Sequence, residues 1–434
     1  MKQLTRLFIP ICLETLFYML SGMVDTLMLS AVGDYAVGAV GTANSYIGIF
    51  IIMFSIISSG MVSVMTQNIG AGRPGVAYQA RQLGLLFNAV AGVLMAVFLF
   101  SGAGAILRMV GIADALYEPA LIYLKIVGGG CILNAVIPIF SSYLRAFGYT
   151  KQPLYATIVG NIANFVMNAV FLFVLHKGVA GVAIATMISK ILNLCIVLYF
   201  SHKLISAKNS TERIANKTVL GQIVKVGLPS ACETALYNVA MMLVIRFLNQ
   251  MDAEGLNVTA RSYTATISNF SYCVGAALAQ ANAIMTGWHI GAGELEECDR
   301  GTKRAAFVGV CVAVCMEIAI VLGSGFIMPL FTDNPEMTAL VRKLLAIDIV
   351  LEIGRVTNLV FGQALKTSGD AVFPAVIAAV FMFVFAVGGT WLFGISMGLM
   401  AVGAYIGLAS DECVRAVGMV WRWKTGKWRT KKLV

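Results

Sequence analysis

Twelve apolar stretches run along the chain, at roughly 7–29, 42–66, 83–106, 121–144, 154–175, 179–200, 222–249, 258–285, 305–328, 342–364, 372–395 and 398–421. Each is long enough to cross a lipid bilayer, which takes about 20 apolar residues. A backbone in hydrocarbon finds no water to bond with, so each stretch is predicted to be a helix. Composition agrees: of 434 residues, 59% are hydrophobic and 12% charged, against about 45–50% and about 25% in soluble proteins. The expected class is an all-α integral membrane protein with no room for a soluble catalytic domain. The first run follows Met1–Arg6 and continues past Glu14 to about Ser30 without a small-residue cleavage pattern. It therefore reads as a retained first span rather than a signal peptide.

The net charge of +10 does not point to nucleic acid, because the basic residues sit in the short links between apolar runs. Lys2, Arg6, Arg73, Arg81, Arg145, Lys151, the linker (Lys203, Lys208, Arg213, Lys217), Arg300, Lys303, Arg304, Lys366 and the tail fall on one side. Only Arg108, Lys177, Arg261, Arg342 and Lys343 fall on the other. Positive charge stays on the cytoplasmic side of a membrane, so both termini and the linker are predicted to be cytoplasmic, in a multi-pass protein of the cell membrane. The stretch Trp421–Trp428 reads as an interfacial anchor, with indoles at headgroup depth and cations facing anionic lipid. Nine cysteines are scattered, and Cys311 and Cys315, one turn apart, lack companion ligands. They read as packing residues, and no metal is expected.

The two halves repeat each other. Pro10, Glu14 and Tyr18 match Pro229, Glu233 and Tyr237 at a shift of 219 residues. Ile69–Gly72 matches Ile290–Gly293, and Arg145, Gly148 and Pro153 match Lys366, Gly369 and Pro374, at a shift of 221. Matches in order at nearly one shift imply duplication. Six spans per half give both copies the same topology, related by an axis along the membrane normal, an arrangement common in transporters. The expected organisation is an N-terminal six-helix bundle (1–205), a linker (206–221), a C-terminal six-helix bundle (222–421) and a basic tail (422–434).

Several segments resemble the multidrug and toxic compound extrusion (MATE) family. These are Ile9-Pro10 through Asp25 to Ser30, the turn Gly33–Gly41, Gln67–Gly72, Arg145–Gly148, Gly227–Pro229, Glu352–Asn358, Gly369-Asp370 and Trp421–Trp423. The resemblance covers essentially the whole chain. It implies a twelve-helix V of two bundles, and efflux of organic cations or other amphiphiles driven by inward H+ or Na+. It also implies that Asp25 is the coupling aspartate and that Asn164 and Thr186 are site residues. At position 168 the family pattern has Asp where this chain has Asn, so a two-carboxylate site is not expected here.

An ionisable group at mid-bilayer costs at least ~2.5–3.5 kcal/mol and needs a partner, a cavity or a task. Asp25, deep in the first span, reads as a carboxylate that binds and releases H+ or Na+. Asn161, Asn164 and Asn168, at i, i+3 and i+7, share one face of the fifth span. They read either as ligands for a cation or a protonated Asp25, or as interhelical bonds worth ~0.6 kcal/mol each. Thr186 and Lys190 lie one turn apart on the sixth span. Lys190 is expected to form a switchable pair with Asp25 or to occupy a cation's place when the site is empty or, alternatively, to extend toward the interface. Asp348, Glu352 and Arg355 share a face in the second half; Glu352 and Arg355 can pair, leaving Asp348 for coupling or substrate. Glu14 and Glu233 hold equivalent repeat positions and read as structural acids of an inner gate or, alternatively, as acids that attract substrate. Glu317 stands isolated in its span. Tyr18, Tyr46, Tyr143, Tyr237 and Met241, with Phe140, Phe165, Tyr263 and Phe361, suit an adaptable cavity or, individually, plain packing.

No phosphate loop, metal spacing or hydrolase elbow supports an enzyme, and no nucleotide-binding segment supports ATP-driven transport. The expected function is a cation-coupled antiporter for a small molecule, acting in lipid, with no cofactor beyond the coupling ion, and monomeric. The alternative is a flippase for lipid-linked precursors on a related two-bundle fold. By the repeat shift, Asp25 corresponds to Val244, and Asn161, Asn164 and Asn168 correspond to Met382, Phe385 and Gly389. The polar mid-membrane site is therefore expected mainly in the first half.

Overall fold

The computed structural model describes residues 2–109, 112–206, 212–252 and 255–434; Lys208 of the predicted linker lies outside them. Among the described residues there are helices and no strand. The first half holds α1 (Lys2–Ser30), α2 (Asp34–Gly70), α3 (Pro74–Met109), α4 (Asp114–Tyr123), α5 (Cys131–Ala146), α6 (Lys151–Ala169) and α7 (Gly178–Leu204). The second holds α8 (Asn216–Met251), α9 (Leu256–Ala292), α10 (Leu295–Ile327), α11 (Pro335–Ser368), α12 (Val372–Phe381) and α13 (Met400–Lys424). α4 runs on through a π-helical turn, Leu124–Gly128, and meets α5 at a 43° bend. The bend falls on Gly128-Gly129-Gly130, whose missing side chains let the two segments form one broken span. π-helical turns also extend α6 (Val170–Val174) and α12 (Met382–Val387, Thr390–Ser396). With α4 and α5 counted as one, the chain has twelve transmembrane helices, six per half.

Several helices outrun the apolar stretches that predicted them. α2 and α9 each span 37 residues, and their polar ends extend past the hydrocarbon layer. α1, α2, α3, α6, α7, α8, α10 and α12 are long and apolar enough to cross a membrane, with the bent α4–α5 pair as a ninth. α9, α11 and α13 fall short of that measure because their buried faces are polar, as at Ser268 and Asn282, Asp348 and Glu352, and Asp411 and Arg415.

By Cα proximity the chain divides into two compact units, Ile9–Gly227 and Leu228–Val434 with Met1–Phe8. The core of the first is built from small and branched residues of α2, α4 and α7, including Ala36, Ala39, Ala43, Ala120, Val182 and Ala183. Small side chains let helix backbones approach where lipid offers no hydrophobic drive for association. The second unit uses the same device at one decisive place. A Cβ on Gly354 of α11 would stand 2.7 Å from the backbone of Glu412 and Cys413 on α13, so only glycine permits this crossing.

The predicted tail anchor needs correction. Trp421 is 57% exposed, but Trp423 and Trp428 are each 1% exposed and stack face to face at 4.2 Å. The Trp423 indole N–H donates to Asp299 at 2.8 Å and that of Trp428 to the Trp423 carbonyl at 3.1 Å. Arg422 grips Asp370 through two bonds, and Arg429 pairs with Glu296 at 2.7 Å. The tail thus folds back on its own unit, because an indole with a partner for its N–H is better buried than left at an interface. Losing such a buried aromatic costs about 3–5 kcal/mol. Trp428→Ala is therefore expected to lower the unfolding midpoint of detergent-solubilised protein in a thermal melt, while Trp421→Ala leaves it in place.

Candidate functional site

Each unit carries one polar cluster inside its spans. In the first, α1 brings Asp25 to α6, where the Asn168 side-chain N–H donates to Asp25 Oδ1 at 2.8 Å and to Asn164 Oδ1 at 3.0 Å. Asn168 is fully buried, and its own Oδ1 has no hydrogen-bond partner in the protein. Asn161 turns elsewhere on the same face and donates to the Phe17 carbonyl at 2.9 Å, so it ties α6 to α1. Thr186 bonds back to Val182 of its own helix at 2.9 Å. Lys190 does not pair directly with Asp25; its ammonium donates to Asn134 Oδ1 of α5 at 2.8 Å. In this arrangement Asn168 holds the carboxylate and Asn134 the ammonium. Asn134 was not singled out from the sequence, where a lone Asn in an apolar run carries little signal.

The second unit holds the larger cluster, which reverses the expectation that the site survives mainly in the first half. On α11, the Arg355 guanidinium is hydrogen-bonded to Glu352, one turn back, and lies 3.8 Å from Glu412 of α13. Arg415 pairs with Asp411 through two bonds, 3.0 and 2.7 Å, and with Glu412 at 2.8 Å. Asn358 donates to the other Glu412 oxygen at 3.0 Å. Glu317 of α10, isolated in the sequence, joins the group. One carboxyl oxygen each from Glu317, Asp348 and Glu352 lie within 4.8 Å of one another, and all three residues are buried. Both Glu317 oxygens, Asp348 Oδ2 and Glu352 Oε2 have no hydrogen-bond partner.

Five carboxyls, Glu317, Asp348, Glu352, Asp411 and Glu412, thus face two guanidiniums, Arg355 and Arg415. A buried group with that excess of acid is held only if further positive charge, a proton or a metal cation, enters it. Asp411, Glu412 and Arg415 were not predicted as site residues. Their spacing (i, i+1, i+4) within the last apolar run was the available signal, masked by the basic tail that follows it.

The acids at equivalent repeat positions have equivalent partners. Glu14 pairs with Arg145 at 2.5 Å in one unit, and Glu233 with Lys366 at 2.7 Å in the other. Each pair ties the first helix of its repeat to the fourth span of the same bundle.

Two cavities open in the second unit. One, of about 280 Å³, is lined among others by Tyr237, Met241, Arg261, Asp348, Arg355 and Tyr405. The other, of about 240 Å³, is lined among others by Glu233, Tyr237, Lys366, Glu412 and Arg415. Of the predicted cavity residues, Tyr237 and Met241 are brought together here. Tyr143 is instead 1% exposed, with the Arg81 guanidinium 5.1 Å from its ring centre and Phe147 edge-on. Phe140 is buried beside the same arginine, and Phe361 packs on Trp423. Tyr263 tilts against Phe331, Tyr46 is half-buried, and Tyr18 and Phe165 are exposed.

The MatE family model matches residues 10–170 and 229–392, one copy for each half. The chain is 32% identical over 428 residues to the uncharacterized transporter YisQ of Bacillus subtilis, covering 97% of this chain and 94% of that one. It is 21% identical over 446 residues to a probable multidrug resistance protein, NorM, of Thermotoga maritima, covering 100% and 94%. The crystal structure of a MATE in the straight conformation superposes with a TM-score of 0.86 at 21% identity, covering 99% of this chain and 96% of that one.

Breaking one member of a buried charge network strands its partners at a cost of about 3–5 kcal/mol. Arg355→Ala is expected to destabilise by that amount. Adding Glu352→Gln should recover part of the loss, because it removes one stranded charge. Chemical denaturation of the single and double variants checks both statements.

Proposed function

The chain belongs to the MatE family of multi-pass membrane transporters, and on that premise we propose that it is a secondary antiporter. In this reading it lies in the cytoplasmic membrane with both termini inside, as the placement of Lys and Arg supports. It exports an organic cation or an amphiphilic metabolite by alternating access, driven by H+ or Na+ moving inward. The observation that carries the proposal is the stock of buried carboxyl oxygens without partners in the second unit, alongside Asp25 held by a single amide in the first. An uncompensated acid inside a membrane protein marks an ion or substrate path.

Each group has a part in this cycle. Asp25 takes the coupling cation in the first unit; Asn164 and Asn168 present amide groups to it, and Lys190, held by Asn134, supplies positive charge nearby when the site is empty. In the second unit Glu317, Asp348 and Glu352 take up cation, while Arg355 and Arg415 hold Glu412 and Asp411 in place. Glu14 and Glu233, each paired with a base, keep their bundles rigid as the protein changes state. Recognition of a lipid-linked phosphate is less well supported, because Arg355, Lys366 and Arg415 are engaged by carboxylates, which leaves Arg261 as the base of the cavity walls for a multiply charged headgroup.

Proteoliposomes loaded with a fluorescent organic cation test the proposal. An imposed inward H+ or Na+ gradient should drive the cation out against its own gradient, and whichever ion supports this is the coupling ion. Asp25→Asn should lose most of that movement. Transport that ignores both gradients, or full activity in Asp25→Asn, would refute the mechanism.

A further inference from the structure

We infer that the larger cavity of the second unit is a binding site for a small zwitterion with an aromatic or other apolar body, its acidic group on Arg261 and its ammonium on Asp348. The assignment rests on the antiport reading only for what the bound molecule does next.

The cavity wall holds two kinds of charge. Arg355 is hydrogen-bonded to Glu352 and lies 3.8 Å from Glu412, and Arg415 pairs with both Asp411 and Glu412. Two groups are left over. Arg261, half-buried on α9, makes one contact, at 3.7 Å, to the Met241 sulfur, and no carboxylate pairs with it among the described residues. A thioether is a weak acceptor and leaves a guanidinium almost unanswered. Asp348, 2% exposed on α11, has its Oδ2 without a hydrogen-bond partner. Both line the same space of about 280 Å³, so it presents one guanidinium without a carboxylate partner and one carboxylate with an oxygen left to bond.

Ligand charge follows from that pairing. A plain organic cation would satisfy Asp348 but leave Arg261 opposed to it, and a plain anion would do the reverse. Leaving a buried charge without a partner costs more than a pair gains, so either mismatch is selected against. A molecule carrying a carboxylate or phosphate and an ammonium answers both groups. Arg can grip such an acid through two parallel bonds. Between the two charges the walls include Tyr237, Tyr272 and Tyr405, which offer ring faces to an apolar body and to the ammonium.

Asp348 is also one of the three acids gathered with Glu317 and Glu352. The ligand's ammonium and the coupling cation would then use one carboxylate. Occupation by one disfavours the other, which is how an exchange of the two is enforced.

A matched series tests this on purified full-length protein in detergent. Naphthylalanine carries both charges, its methyl ester the ammonium alone, and its N-acetyl derivative the carboxylate alone; binding is read by titration calorimetry. The zwitterion should bind about tenfold or more tightly than either derivative, as one charge-assisted bond implies. Arg261→Gln should bring the zwitterion down to the affinity of the ester while leaving the ester unchanged. Arg261→Lys should keep part of the preference, which guards against a folding defect. Equal binding of zwitterion and ester by the wild type, no binding of any of the three, or an Arg261→Gln loss that is the same for both, would overturn the assignment. Transport independent of any gradient would end the antiport reading and leave these affinities standing. Equal affinities beside gradient-driven transport would end the zwitterion assignment alone.

Discussion

Hydrocarbon solvates neither a free peptide group nor a bare charge, and most of this structure answers that fact. The first half of it explains the helices: backbone polar groups are satisfied within each span, so twelve crossings follow from the apolar runs. The second half explains where the polar side chains went. α9, α11 and α13 are the long helices that fall short of a spanning helix's apolarity, and with α10 they enclose Glu317, Asp348, Glu352 and Arg415, each under 5% exposed. A charged residue can stay in a membrane helix if its neighbours turn it inward and supply partners. Gly354 makes that possible in the second unit. Without a Cβ there, α11 and α13 close to backbone contact at Glu412, and Arg355 can reach Glu352 and Glu412 together.

Duplication gives a second view of the same constraint. At the repeat shift of 221, Cys131 falls on Glu352, Asn134 on Arg355 and Lys190 on Asp411. Ala180, Ala183 and Ser189 fall on Ala401, Ala404 and Ser410, which fixes the alignment of α7 with α13. Equivalent backbone positions therefore carry one polar pair of each cluster, Asn134 and Lys190 in the first and Arg355 and Asp411 in the second, with the charge on the last helix reversed. The first unit has a cation on its last helix, held by a neutral amide from the fourth span. The second has an anion on its last helix and a cation on the fourth span. The ties Glu14–Arg145 and Glu233–Lys366 kept their sense, because they serve the scaffold, which both copies share.

These contrasts explain what could be read from the sequence. Span count, repeat and family were legible because they depend on runs of residue types and on spacing. The Asn164–Asn168–Asp25 contact was foreshadowed by helical spacing plus one deep acid. Partner choice was not legible: Lys190 found Asn134, a residue indistinct in an apolar run. The second cluster was underrated because a position-by-position comparison asks whether the same residue recurs. Here Asp25 has Val244 as its counterpart, while new charges arose at positions that are neutral or opposite in the first copy. The tail misled for a different reason. Alternating Trp, Arg and Lys is the signature of an interface anchor, but acidic residues at Glu296, Asp299 and Asp370 offered it closer partners.

The exchange of charge between the copies bears on coupling. A cluster with one acid and one nearby amine, as in the first unit, can be close to neutral when empty, so a single cation entering it changes the local charge by one and can displace the amine's influence on Asp25. The second cluster, with five acids against two guanidiniums, is not neutral unless it already holds protons or cations. In the antiport proposed above, the two sites would therefore rest in opposite states, one empty and one loaded. A cycle in which cation binding and release alternate needs groups that differ in this way. Two identical sites would fill and empty together, and the repeat by itself would have supplied only those.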